Sequence, residues 1–213
     1  MAEAAGQNPL AAAIAEAMAA LTPPEPSVDG RRMRAEANRA RIVAAMLELI
    51  SEGFMTPPAE AVAERAGVGL RTVFRLFNDM DSLYREMHAM MLARMAPIAA
   101  EPVLGEDWRE RLRNLIRRRV RLFEEMMPFQ VAADAHRARS SFLQKEHAHL
   151  VRLQRFSATA LLPDEVQADP VVMEMVDLAM SFDAWRRLRL DQGQTYDKAE
   201  EIMAELVFRA IGQ

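Results

Sequence analysis

The sequence contains no cysteine, which excludes a disulfide framework, a thiolate metal site and a cysteine nucleophile. It is also poor in the β-branched residues that favour strands, because valine, isoleucine and threonine together account for only 26 of its 213 residues. Helix-favouring alanine, leucine, methionine, arginine and glutamate are abundant instead. We therefore expect an all-α protein, with a length that allows one large domain or two small ones.

A long hydrophobic run is absent as well. No segment reaches the roughly 18 unbroken apolar residues that a membrane-spanning helix needs. The alanine-rich stretch from Leu10 to Leu21 is similar in length to the core of a signal peptide, but it follows no basic segment and contains Glu16. We therefore expect a cytoplasmic protein without a membrane partner.

The signatures of common enzymes are missing. The sequence has no Gly-x-Ser-x-Gly motif, no phosphate-binding glycine loop and no dinucleotide fingerprint. His147 and His149 are two residues apart and would point about 200° apart on a helix, so they cannot share an ion. We expect neither catalytic activity nor a cofactor nor a bound metal.

Positive charge is concentrated in one place, although the whole chain has a net charge of −4. Residues 1–30 contain four acidic residues and no basic one. The next eleven residues contain five arginines and a single acid, Glu36, which gives a local charge of +4. Because nucleic-acid binding depends on a local patch, the overall acidity does not exclude it. These arginines are Arg31, Arg32, Arg34, Arg39 and Arg41.

Proline and glycine mark the predicted boundaries of the helices. Residues 1–30 are expected to be a flexible tail with at most one short helix, between Pro9 and Leu21. The first clearly amphipathic helix is predicted from about Ala35 to Ser51, and Gly53 is expected to end it.

Two short helices are predicted next. Thr56 would cap the first of them, with Pro57 at its first position, and residues 67–69 (Gly-Val-Gly) form the turn. The second runs from about Leu70 to Phe77 and carries Arg71 and Arg75 on one side. Two short helices joined by small residues predict a helix-turn-helix.

The remainder is predicted to be helical, with an amphipathic helix starting near Asp81 and another capped by Asp107. Pro97 and Pro128 are expected to interrupt helices. Residues 170–191 are expected to form one helix. The run of four arginines after residue 116 is interpreted as a solvated helix face, with a second anion site as the alternative; its members are Arg117, Arg118, Arg119 and Arg121.

Residues 39–84 resemble the DNA-binding head of the TetR family of transcriptional regulators. The family pattern places an aliphatic helix before a Gly-aromatic pair, a short helix, an Ala-Gly-Val turn, an aromatic-x-x-Phe helix and a leucine. All of these positions are matched at ungapped spacing, by Gly53-Phe54, Val62-Ala63, Ala66-Gly67-Val68, Phe74 to Phe77, and Leu83. The resemblance implies a helix-turn-helix DNA-binding domain over residues 31–80 and an effector-binding and dimerisation domain over residues 81–213.

The resemblance also implies a dimer that binds a pseudo-palindromic operator, with the second short helix in the major groove. Arg71 is the candidate for a bidentate guanine contact, and Thr72 and Arg75 would contact bases or phosphates beside it. Phe74 and Gly69 belong to the same predicted surface. The arginine arm, which would add salt-dependent affinity, consists of Arg31, Arg32 and Arg34.

Residues 181–211 resemble the last two helices of the family, which form a four-helix dimer interface. The predicted interface residues are Leu178, Phe182, Trp185, Ile202, Leu206 and Ala210. A cavity for an apolar small-molecule effector is predicted from adaptable methionines on the family's cavity-lining helices, with a histidine as polar contact. Its candidate residues are Met87, Met91, Met95, Phe123, Met127 and His136.

Departures from the family pattern keep a second hypothesis open. The family usually has tyrosine at Phe74, histidine at Leu76, lysine at Met80 and serine at Gly69. Three of these exchanges remove polar groups that would contact DNA. The alternative is therefore a helical dimer of the same fold that has lost operator binding and acts through a protein partner or as a small-molecule binder.

Overall fold

The computed structural model describes residues 30–77 and 79–212, and the regular secondary structure of these residues is helical, without a strand. Residues 1–29 of the predicted tail, with its short helix, lie outside the described residues. No described helix is both long enough and apolar enough to cross a membrane. The helices are α1 (Gly30–Ser51), α2 (Ala59–Ala66), α3 (Leu70–Leu76), α4 (Met80–Ala100), α5 (Trp108–Arg137), α6 (Ser141–Thr159), α7 (Asp164–Gln167), α8 (Pro170–Ala179), α9 (Phe182–Arg186) and α10 (Tyr196–Ala210).

The described residues form two compact units. The N-terminal unit comprises residues 30–94 and 126–146, and the C-terminal unit comprises residues 95–125 and 147–212. The all-α expectation is confirmed by the helices of both units. The predicted division at residue 80 stays a prediction.

The first helices of the N-terminal unit pack on one another, since α1 contacts both α2 and α3. Gly53 ends α1 as predicted: its φ of 99° turns the chain so that the N–H of Phe54 reaches the carbonyl of Leu49 at 3.0 Å. The apolar faces predicted from the sequence supply the shared core, which contains Ile42, Val43, Met46, Leu49, Ile50, Val62, Ala63, Ala66, Val73 and Phe77.

Two predicted helix starts are wrong. Helix α1 begins at Gly30, five residues before the predicted Ala35. Helix α2 begins at Ala59, and Thr56 does not cap it, because Pro58 occupies the capping position. Pro57 precedes another proline, whose ring disfavours helical dihedral angles for the residue before it. The helix therefore starts only after the second proline.

The two prolines that were expected to interrupt helices lie inside them. Pro97 is within α4 and Pro128 is within α5. Each proline removes one backbone hydrogen bond and introduces a local clash, and neither ends a helix by itself. Both have buried neighbours one or two residues away, among them Ala99 and Met127, whose packing favours continuation of the helix.

In the C-terminal unit, the single helix predicted over residues 170–191 is divided into two. Helix α8 ends at Ala179, and Ser181 starts α9 by accepting a hydrogen bond on its Oγ from the N–H of Ala184 at 3.1 Å. A serine competes well for this capping role, which explains the break. A single π-helical turn, Arg187–Asp191, follows α9.

The arginine run of α5 is interpreted from the sequence as a solvated helix face, but only part of the run is exposed to solvent. Arg118 and Arg119 are buried, whereas Arg117 and Arg121 are exposed. Positions 117, 118, 119 and 121 span more than one helical turn, so they cannot all face water on a helix that packs on one side. Arg118 donates to the carbonyl of Glu101 at 2.5 Å, so its charge lies among backbone acceptors.

Candidate nucleic-acid interface

The turn between α2 and α3 is built by two glycines with different roles. Gly67 has φ 60° and ψ 40°, and its N–H donates to the carbonyl of Glu64 at 3.1 Å. The N–H of Val68 reaches back to the carbonyl of Ala63 at 3.0 Å. These two bonds form a Schellman motif, which requires a left-handed residue and so favours glycine at position 67.

Gly69 begins α3 from an extended conformation, with φ −69° and ψ 143°. Its carbonyl accepts from the N–H of Thr72 at 2.7 Å, but no side chain caps the helix. A Cβ atom at this position would meet nothing within 4 Å. The position is therefore compatible with a serine side chain.

We expect Gly69→Ser to raise the free energy of unfolding by about 0.5–1 kcal/mol, because it adds a capping hydroxyl and removes backbone freedom from the unfolded chain. Denaturant titration of the whole chain measures the change. Gly67→Ser is the matched control and should lower stability, since its φ is positive. An unchanged or lower stability of Gly69→Ser would contradict this account of the turn.

Helix α3 has a buried face and an exposed face. Val73 and Phe77, which follows the helix, are buried in the core of the N-terminal unit. Arg71, Phe74 and Arg75 are exposed, and Thr72 is half-buried. Neither arginine makes a hydrogen bond or ion pair with any residue that the structure describes. The outer face of α3 therefore offers two guanidinium groups to a partner.

Arg39 holds the end of α3 in place. Its Nη1 donates to the carbonyl of Leu76 at 2.9 Å, and its Nε donates to Glu86 of α4 at 2.6 Å. The guanidinium also lies 4.7 Å from the ring centre of Phe77. Because the carbonyls at a helix end lack partners within the helix, this arginine stabilises the position of α3.

The three arginines of the predicted arm lie in the first turns of α1. Arg32 forms an ion pair with Glu36, with 3.0 Å between Nε and Oε1. Arg34 is exposed and makes no hydrogen bond or ion pair with the described residues. The backbone of Arg31 is helical as well. All three are therefore carried on a helix.

Four candidate effector residues belong to the N-terminal unit. Met87, Met91 and Met127 are buried there. The ring of His136 lies 5.3 Å from that of Tyr84, and its buried Nε2 has no hydrogen-bond partner among the described residues. Burial raises the pKa of Tyr84 to about 12. The unit thus brings an unsatisfied polar atom next to an aromatic ring, and it also contains buried methionines.

Further aromatic residues of this unit were missed by sequence reasoning. The Nε2 atom of His88 lies 3.3 Å from Oε2 of Glu146, and the ring of His88 contacts the rings of Phe129 and Phe142. These residues come from α4, α5 and α6, so no local spacing connects them. The available signal was the spacing of His88, four residues after Tyr84 and three before Met91, which places it on the same side of α4 as these buried residues.

The other two candidate effector residues, Met95 and Phe123, are buried in the C-terminal unit. Phe123 packs edge-to-face on Phe182, with 5.6 Å between the ring centres. This contact is typical of a hydrophobic core.

The six predicted interface residues differ in exposure. Phe182 and Trp185 are buried inside the C-terminal unit, where the indole N–H of Trp185 donates to Glu124 at 2.9 Å. Ile202 and Ala210 are half-buried. Leu178 leaves 69% of its surface exposed, and Leu206 leaves 48%.

Leu178 and Leu206 are among the exposed apolar residues of two helices that contact each other. On α8, Val171, Met175 and Leu178 are all exposed, and their spacing of four and three residues places them on one side of the helix. Helix α8 contacts α10, which carries Leu206. We call these four residues the α8–α10 face.

Within residues 30–77 and 79–212, no three His, Cys, Asp or Glu side chains are grouped in a way that would hold a metal ion. In comparison with known proteins, the chain matches no protein-family model and no curated protein.

Proposed function

We propose that this chain is a DNA-binding transcriptional regulator of the TetR type that binds a pseudo-palindromic operator as a homodimer. The observation that carries the proposal is the outer face of α3, where Arg71 and Arg75 are exposed and unpaired among the described residues. Arginine side chains left free on a short, well-anchored helix are suited to contacts with guanine edges and phosphates.

The local architecture supports this proposal. Helices α2 and α3 are joined by a three-residue turn, and α1 packs against both. We interpret this arrangement as a helix-turn-helix, in which the second helix would enter the major groove. Arg39 fixes the end of that second helix, so its exposed side chains are presented from a supported element.

Selection from a pool of random duplexes tests the proposal. The full chain should enrich one motif with two-fold symmetry, because two copies of α3 would read two half-sites. Enrichment of no motif would exclude an operator-binding role.

Arg71→Ala should lower the affinity for the selected duplex about 10- to 100-fold, equivalent to about 1–3 kcal/mol, and relax the preference at one base pair. Fluorescence anisotropy of a labelled duplex measures the affinity. Arg152→Ala, at an exposed arginine of α6, is the control and should bind as the unaltered chain does. Unchanged affinity and specificity of Arg71→Ala would remove this residue from the contact surface.

Regulation by a small apolar molecule belongs to the same proposal. An effector that prefers one separation of the two DNA-binding heads would change operator affinity through that preference, and repression is the sign that we propose. Met87, Met91 and the unpartnered Nε2 of His136 are the supporting residues in the N-terminal unit. A buried nitrogen without a partner is costly, and a ligand oxygen would relieve that cost.

The alternative function, a dimer of the same fold without operator binding, has one supporting observation. Phe74 and Met80, at positions where polar residues would contact DNA, are both exposed and apolar. A protein partner is better suited than DNA to cover such side chains together. Specific duplex binding by the unaltered chain excludes this alternative.

A further inference from the structure

Phe74 lies in the middle of the exposed face of α3, with 59% of its surface accessible. Arg71 and Arg75 lie on the same side of it on the helix surface, about 60° and 100° away around the axis. Single exposed apolar residues are common on protein surfaces. The position of this one, beside two arginines without partners in the described chain, is what distinguishes it.

Few groups in the major groove can make a favourable contact with a phenyl ring at this position. Base edges there present hydrogen-bond donors and acceptors, and covering them with a ring leaves those groups unpaired. The exception is the 5-methyl group of thymine, which is apolar and projects into the groove. Contact between the ring and this methyl buries apolar surface on both sides.

We infer that Phe74 is a specificity-determining residue that selects thymine through its 5-methyl group, an inference that rests on the proposed DNA-binding function. The adjacent Arg71 contacts the neighbouring base pair or phosphate, so the two side chains together read adjacent positions of one half-site.

Deoxyuridine, which is thymidine without the methyl group, provides the probe. Each thymine of one half-site of the selected duplex is replaced in turn, and affinity is measured for the unaltered chain and for Phe74→Ala. For one thymine we expect an approximately fourfold loss with the unaltered chain, which corresponds to one buried methyl. With Phe74→Ala, affinity for the thymine duplex falls about tenfold or more, and deoxyuridine causes no further loss.

Phe156→Ala is the matched control, because Phe156 on α6 also leaves 59% of its surface exposed. It should keep both the affinity and the sensitivity to deoxyuridine. Equal deoxyuridine effects on the unaltered chain and on Phe74→Ala, at every thymine, would overturn the inference while leaving DNA binding intact. Absence of any specific duplex binding would overturn the proposed function and this inference together.

Discussion

Replacing Leu178 by glutamate is expected to dissociate the proposed dimer and to weaken operator binding at least about 100-fold. Leu178 projects from the α8–α10 face with 69% of its surface exposed. In a two-fold dimer the substitution occurs on both partners, so the apolar burial of two leucines, about 3 kcal/mol or more, is lost. A charge without a partner would in addition be buried. Sedimentation measures the oligomeric state, and anisotropy measures the loss of paired half-site binding.

Leu104→Glu controls for the added charge. Leu104 leaves 68% of its surface exposed, nearly the same as Leu178, but it lies in the loop after α4. This control should stay dimeric and bind DNA normally. A dimeric Leu178→Glu protein would place the interface elsewhere.

Arg119→Ala is expected to lower the free energy of unfolding by about 2–4 kcal/mol, because it leaves buried acceptors without a donor. The guanidinium donates to the carbonyl of Met180 at 3.2 Å, and to the carbonyl of Gln154 and the hydroxyl of Ser157 at 2.7 Å each. Burial lowers the pKa of Arg119 to about 10, so the side chain stays charged at neutral pH. Removing this buried charge offsets part of the loss.

Arg121→Ala is the control from the same arginine run. Arg121 is exposed and pairs with Glu101, with 2.6 Å between Nη1 and Oε2. An exposed ion pair of this kind contributes less than about 1 kcal/mol. Denaturant unfolding of both variants makes the comparison, and equal stabilities would refute a structural role for the burial of Arg119.

The helical fold and the helix ends at glycine could be predicted from the sequence, because their signals are local. Gly53 and Gly67 both adopt positive φ and both end helices, as the pattern predicted. Arg71 and Arg75 were placed on one exposed side of α3 by their spacing alone. Such features depend on a few neighbouring residues and on backbone geometry, which a single sequence specifies well.

Features that depend on packing were not predictable in the same way. Pro97 and Pro128 lie within helices because the surrounding residues are buried, and burial is decided by residues far away in the sequence. Arg118 and Arg119 are buried beside carbonyls from other helices. Phe182 and Trp185, which the sequence grouped with Leu178, belong to a different helix and are part of the core.

For the candidate site too, local features could be predicted from the sequence, whereas contacts between helices could not. The outer face of α3 could be identified from the sequence, whereas the contact of Arg39 with the carbonyl of Leu76 required the fold. The aromatic surroundings of His88 come from three helices and carry no local signature. Side chains that meet across the core are set by long-range packing, for which one sequence holds no periodic signal.

Binding of the full chain to the duplex just upstream of its own gene tests the central claim most directly. Anisotropy would compare this duplex with a scrambled one of equal length across a range of salt concentrations. We predict tight, preferential binding to the upstream duplex with a steep salt dependence, because arginine contacts to phosphates release counterions. Equal and weak binding to both duplexes would contradict operator binding at that site.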